Sequence, residues 1–428
     1  MSKVKDISNN IYDLLDALFK IDRTILGSGF EKSLKQIKKF IPLEYLNYPS
    51  GTKVESWKIL EEWKVNKAFI KNSSGKKIIN YEDNPMHLWQ YSRNTKKKIS
   101  KSELEKHLSS KKSCPNSIPH VVAFYSNDWG FSLSQKERDS LSDDTYEVEI
   151  DVEFKKSNLK IGNLLIPGQS KKEILIDSVL SCPSLANNLS GPVIATFLAK
   201  YLNLKKNNFY SYRFLFTPET IGPLTFGIKE KEMAKNIEGG LTLINLGDKT
   251  KSFNYKKSRK ENSIVDKSIE YLSLNSRYKI FVQNFDLKTG TCGNEKAFNS
   301  LGIEIPVGRL CRKILGSYNE YDTSFDDLSL ISKRNLLESY EICIDIIEVI
   351  ERNKIYKNNF KGEPFLTSYG LLPKIKNEKE RLPYDYLMGF CDGKTSLLDI
   401  AEKSGISIFH FDRAVEDMIK ANLIEVVI

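Results

Sequence analysis

Apolar and polar positions recur along this chain with two different periods, and the change of period divides it. Ile11, Leu14, Leu15 and Leu18 stand at helical spacing and predict a first amphipathic helix; Phe30, Leu34, Ile37 and Phe40 to Ile41 predict a second. From Pro49 to about Asp144 short strand-like pieces alternate with Asn, Gly and Ser turns, as in Ala68-Phe69-Ile70 followed by Asn72-Ser73-Ser74-Gly75. Trp57, Trp63, Trp89 and Trp129 all fall in this stretch. From Tyr146 strand and helix patterns take turns. Ile174 to Leu180 has the length and β-branched content of a strand. A polar turn, Ser181 to Asn188, leads to Gly191-Pro192 and a second apolar run, Val193 to Leu202, which predicts a buried helix with proline in its first turn.

Tyr210, Tyr212, Phe214 and Phe216 alternate into a strand that ends at Thr217-Pro218-Glu219-Thr220-Ile221-Gly222. Gly240 to Leu246, Tyr278 to Val282 and Ile305 to Leu310 predict further strands, and Ser332 to Arg352 a long helix. Such alternation implies an α/β fold, a mostly parallel sheet flanked by helices, with ligands beyond the carboxyl ends of the strands. The last segment, 382–428, reads as helix, Ser404-Gly405 turn and second helix, closed by a wing strand from Ile424 to Ile428. Its charge opposes the DNA-binding use of that motif. Eight acidic and four basic side chains give 4 − 8 = −4, where phosphate contact needs an excess of cations. A protein contact through the winged helix is expected, and no nucleic-acid partner.

Composition adds boundaries. A chain of 428 residues is too long for one ordinary domain. Its net charge of +10 comes from lysines spread along the chain, which reads first as a lysine-rich composition and second as a surface for nucleic acid or another anion; Lys96 to Lys98, Lys101, Lys106, Lys111 and Lys112 read as a solvated face, with anion contact the lesser alternative. No apolar run approaches the ~20 residues of a membrane span, and the first residues lack the apolar stretch of a secretory signal. Six scattered cysteines form no Cys-x-x-Cys pair and fit reduced thiols in a cytoplasm.

The turn Ser181-Cys182-Pro183-Ser184-Leu185-Ala186-Asn187-Asn188-Leu189-Ser190-Gly191 carries a resemblance. It is similar to the metal-binding segment of a family of zinc aminopeptidase-like proteins, Cys-His-Pro-Ser-Leu-Ala-Asn-Asp-Asn-Leu-Ser-Gly. Members of that family join a di-zinc exopeptidase fold to an inserted β domain and a C-terminal winged helix. The glycine loop Arg23 to Phe30 also resembles the family's. The resemblance implies an aminopeptidase-like domain from 1–48 and 145–355, an inserted β-rich domain at 49–144, a connector at 356–381 and a winged helix at 382–428.

Carried over position by position, the resemblance keeps the frame and changes the ligands. The first histidine becomes Cys182. The bridging acid is Asn188, or is deleted, because the loop is one residue shorter. Glu219 is kept in Pro-Glu-Thr-Ile-Gly. The aspartate of Gly-Ser-Asp-Glu becomes Asn294, followed by Glu295, and the last histidine becomes Asp322. The histidines, His87, His107, His120 and His410, all lie outside the peptidase segments, although His87 or His120 reaches the pocket if the inserted domain folds over it.

Three readings of the pocket follow. In the first, neutral amides no longer compensate two zinc ions, and the protein is a pseudoenzyme that binds a peptide, an amide or a partner. In the second, Cys182, Glu219 and Asp322 hold a single zinc, with Glu295 as base or ligand, in an active aminopeptidase or amidohydrolase. In the third, Cys182 is a nucleophile, but the local acids Glu219 and Asp322 disfavour its thiolate. The structural alternatives are a buried filler for Cys182, helix capping for Asn187, Asn188, Asp326 and Asp327, and a lysine pair for Glu219.

Overall fold

A computed structural model describes residues 2–180, 183–290, 293–371 and 375–427, with side chains from Ile7 onward. Its centre is an eight-stranded sheet. The strand order is Glu44–Pro49, Asn158–Ile166, Ser211–Thr217, Glu173–Val179, Ile237–Leu243, Val307–Cys311, Phe253–Lys256, Ile280–Gln283. The four middle strands run parallel, and the flanking pairs with Asn158–Ile166 and with Phe253–Lys256 are antiparallel. Glu173–Val179 and Ser211–Thr217 are buried at every position, as expected for strands covered on both faces.

Helices Ser2–Phe19, Ala186–Lys205 and Lys333–Arg352 pack together and bury Leu14, Leu18, Val193, Leu198, Ile346 and Ile350 with the sheet. The helix after the polar turn starts at Ala186, not near Val193, so Pro192 lies inside it. Proline has no N–H to give the carbonyl of Asn188, four residues back, and that carbonyl loses its helical partner. One glycine is dictated by contact. At Gly191 this helix meets the Ile237–Leu243 strand, and a Cβ there would stand 2.0 Å from the Leu243 carbonyl oxygen.

A second, four-stranded sheet is built from Lys77–Asn80, Glu62–Lys71, Thr145–Lys155 and Thr95–Ser100. It takes in Thr145–Lys155, which the expected boundary at 144 had given to the α/β part. The buried alternation Tyr146, Val148, Ile150, Val152 suits either sheet, and only pairing with Glu62–Lys71 decides it. The expected connector is also partly structured. Ile355–Asn358 pairs with Asp392–Ser396 and Ile424–Val426 in the winged-helix sheet. The helices there are Leu397–Ser404, ended by Gly405 at φ 66°, and Asp412–Lys420. Among the described residues, no helix is long and apolar enough to cross a membrane.

Candidate functional site

The parallel strands end on one buried carboxylate. Asp177 sits near the end of Glu173–Val179, fully buried. Its neighbours in the sheet place two hydroxyls on it: Thr217 donates to Oδ1 at 3.1 Å and Thr242 to Oδ2 at 3.0 Å. Asn294 adds a third donor, Nδ2 to Asp177 Oδ2 at 2.9 Å, and also reaches Thr217 Oγ1 at 2.6 Å. The backbone N–H of Thr220, which can only donate, meets Asn294 Oδ1 at 3.1 Å and so fixes which end of the amide is which. Burial pushes the Asp177 carboxyl up to about 7 against the pull of these donors. All polar atoms of the Asn294 side chain are thereby engaged inside the protein.

Glu295 is engaged as well. It is fully buried, and Oε1 lies 2.9 Å from Arg309 Nη1 and 3.1 Å from Lys256 Nζ, both buried cations. Arg309 is held in turn by the carbonyls of Gly290 and Thr289. Two of the six expected site residues are therefore interior structural groups.

Three others meet. Glu219, Asp322 and Asn188 line one cleft of about 440 Å³, together with His120 and an apolar wall that includes Trp57, Phe124 and Tyr125. Burial and the nearby charges of Asp322 and Glu295 push Glu219 up to about 7, and burial pushes Asp322 up to about 6 while Lys111 pulls it down. Among the described residues, Glu219 has no lysine or arginine partner, so the expected alternative of a structural ion pair fails there. Asn188 is buried, and its Oδ1 has no hydrogen-bond donor.

His120 arrives from the inserted segment, which docks on the loop of Asp322. Pro119 bridges to Thr323, His120 N–H donates to the Asp322 carbonyl at 2.8 Å, and Ser324 N–H to the Ile118 carbonyl at 2.9 Å. Burial pushes the imidazole down to about 3, so it is neutral, and its Nε2 has no partner.

The paired asparagines divide their work. Asn187 is interior: its N–H donates to Asp326 Oδ1 at 2.7 Å, its Nδ2 to Asp248 at 3.1 Å, and its Oδ1 accepts from Gly247 N–H at 3.1 Å. Asp326 therefore caps the helix that begins at Ala186, not the turn after itself. Asp327 does cap that turn, accepting from Ser329 N–H. Burial pushes Asp326 up to about 7.

Cys182 and Cys292 lie outside the described residues. Among those described, no three His, Cys, Asp or Glu side chains form a group able to hold a metal ion. The donor chemistry agrees: Asn294 is spent on Asp177, Glu295 on two cations, and Asn188 is a neutral amide. Asn294 and Glu295 are therefore already engaged and not free to hold a zinc ion. Sequence reasoning missed Asp177, Lys256, Arg309 and the aromatic wall. Asp177 alone left a signal, a single acid inside the apolar run Ile174 to Leu180.

Comparison with known proteins gives this arrangement a lineage. Residues 12–353 match a family described as a domain of unknown function, DUF4910, and residues 354–426 match a winged helix-turn-helix family. A Clostridium acetobutylicum protein, provisionally named a polysaccharide biosynthesis protein with an aminopeptidase-like domain, is 36% identical over 99% of this chain and 97% of its own. A crystal structure of a C. acetobutylicum protein provisionally named a peptidase superposes with a TM-score of 0.86 at 35% identity, over 100% of this chain and 99% of that one. A zinc aminopeptidase from Bacillus subtilis shares the fold at a TM-score of 0.58 and 11% identity, over 79% and 94% of the two chains. This chain belongs to the DUF4910 family: it is an aminopeptidase-like α/β protein with a C-terminal winged helix.

Proposed function

We propose that this chain is a diverged aminopeptidase-like protein that binds, and does not cleave, a ligand with a basic amine, of which a peptide amino end is the simplest case. The observation that carries the reading is the engagement of Asn294. A position that offers a carboxylate in the resembling family here closes an internal network with Asp177, Thr217 and Thr220. The cleft beside it keeps what an ammonium group needs. Neither Glu219 nor Asp322 forms an ion pair among the described residues, although Lys111 lowers the Asp322 carboxyl from a distance, and Trp57, Phe124 and Tyr125 offer an apolar and π surface. An arriving ammonium would favour the ionised form of Glu219, so binding would release little charge imbalance.

The test is calorimetry with a leucine peptide and its N-acetylated form, together with metal analysis of protein purified without a histidine tag. The expected results are tighter binding of the free amine, loss of that preference in Glu219→Gln, no stoichiometric zinc, and no hydrolysis of leucine anilides with added Zn²⁺, Mn²⁺ or Co²⁺. A second reading, an active hydrolase using Cys182, Glu219 and Asp322, is favoured by one observation: Glu219 near 7 is in the range of a general base. Stoichiometric zinc that disappears in Cys182→Ala or Asp322→Ala would establish the second reading and end the first.

The winged helix fits a structural or protein-contact role. Asp412, the first residue of the helix that would read DNA, is held by Arg352 through Nε and Nη2 at 2.8 to 3.1 Å. Absence of any gel shift with duplex DNA at low salt is expected, and salt-dependent binding would overturn this assignment.

A further inference from the structure

Tyr125 has a second side. A cavity of about 470 Å³ opens there on the inserted β region, and Tyr125 lines both it and the acidic cleft. The two cavities have opposite charge. Lys58, Arg93 and Lys156 line the second one, with Glu61 as the one acid on its described lining. Some lysines of this region are paired, Lys67 and Lys96 with Glu149, Lys71 with Glu147, Lys155 with Glu153. Among the described residues, Lys58, Arg93 and Lys156 form no ion pair.

Arg93 is also positioned. Its guanidinium lies 4.3 Å over the Phe154 ring, and its Nε is buried without an acceptor. Stacking fixes the plane of the fork, and an unmatched buried N–H is a cost that an arriving anion relieves. A planar fork of donors is matched by carboxylate or phosphate oxygens. The divider between the cavities is held too. Tyr125 donates its hydroxyl to the Lys58 carbonyl at 2.8 Å, stands edge-on to Trp57 at 5.5 Å, and occupies φ 62°.

We propose that this second cavity is an anion subsite and that the ligand is bipolar: its amine lies at Glu219 and Asp322, its apolar middle crosses Trp57 and Tyr125, and a carboxylate or phosphate reaches Arg93. The proposal rests on the amine reading of the acidic cleft, and the experiment separates the two.

Binding is measured by calorimetry at pH 7.5 for leucine di-, tri- and tetrapeptides in four forms: both ends free, C-terminal amide, N-acetyl, and both ends blocked. A further arm uses the same lengths ending in phosphoserine amide, which distinguishes phosphate from carboxylate. At the length that spans Tyr125, the free acid or the phosphopeptide should bind roughly tenfold tighter than the amide. That advantage should vanish in Arg93→Ala while the effect of N-acetylation stays. Lys58→Ala with Lys156→Ala, at two exposed positions, provides a second variant pair if Arg93→Ala fails to fold.

Equal binding of acid, phosphate and amide forms to the native protein overturns the anion subsite, whatever acetylation does. So does an advantage of the acid that survives in both variants. An anion effect without an acetylation effect overturns the amine reading and leaves the subsite standing. No binding by any form overturns both.

Discussion

Asn294→Asp restores the acid that the resembling family carries, and the structure says it should be damaging in a pH-dependent way. Asn294 Nδ2 donates to Asp177 at 2.9 Å and to Thr217 at 2.6 Å. A carboxylate supplies neither donor, and the deficit at buried Asp177 costs about 1–3 kcal/mol. It also places two carboxyl groups in contact. Asp177 already holds its proton up to about 7, and a second carboxylate at ~4 Å repels it by about 4 kcal/mol at an effective dielectric near 20. At pH 5 the pair shares protons and only the lost donors count, about 1–3 kcal/mol. At pH 8 the repulsion is added, for a total of about 5–7 kcal/mol. Urea unfolding of the variant at both pH values reads this directly, with Asn294→Ala as the uncharged control whose penalty should not change with pH. Equal penalties for Asn294→Asp at pH 5 and 8 would refute the reasoning. So would stoichiometric zinc bound by the variant with a gain in stability, because the position would then be open to a ligand and not closed upon Asp177.

The remaining predictions concern the same interior. Asp177 and Asp326 are buried with carboxyls raised from 3.8 to about 7, so their stabilising contribution is complete below pH 4 and is lost as pH rises through 7. Each is about 4 kcal/mol as an upper figure; stability should fall between pH 4 and 8, and Asp177→Asn should flatten that slope, while an unchanged slope would count against the assignment. Glu295→Ala leaves Lys256 and Arg309 buried without their acid and should cost about 3–5 kcal/mol by denaturant midpoint; a loss below 1 kcal/mol would show that the cations find other partners. Proton NMR of the His120 ring should show no titration from pH 8 to 5, since burial holds it down to about 3; a midpoint near 6.5 would place the ring in water and outside the cleft.

The architecture was readable because its signals are local. The apolar run at Ile174 to Leu180, the glycine-proline start of the next run and the Pro-Glu-Thr-Ile-Gly turn each mark an element or a loop in one stretch of chain. What the sequence hid depends on pairing between distant stretches. Tyr146 to Val152 alternates equally well for the central sheet and for the inserted one, and only its partners Glu62–Lys71 decide. His120 is remote from Asp322 in sequence, yet the Pro119–Thr323 bridge brings them to one wall. Lys256 and Arg309 sit on neighbouring antiparallel strands in register with each other, which places both over Glu295. Cations inside strands have no sequence period that points to their acid. The same holds for Asn187 and Asn188, adjacent in sequence but separated in role by the turn of one helix.

These placements share a logic of charge. Asp177, Glu219, Glu295, Asp322 and Asp326 gather in and around the strand ends, and five ionised carboxylates in such a volume would repel strongly. The chain deals with them separately. Glu295 is neutralised by two fixed cations. Burial raises Asp177 and Asp326 to about 7, as it does Glu219, with donors on both oxygens of Asp177 and on Oδ1 of Asp326. Two further positions are amides: Asn294 is a donor where another acid would add repulsion, and Asn188 presents a neutral oxygen. Glu219 and Asp322 line the cleft with no ion pair among the described residues, Asp322 under the more distant pull of Lys111. Glu295 and Asp326 each keep one unpartnered oxygen in the interior, whereas Glu219 and Asp322 line the cleft, where a positive group from outside reaches them. On the proposed reading the occupant is a basic ligand, and Glu219→Gln with Asp322→Asn should remove the preference for a free amine while leaving the cleft's apolar affinity in place.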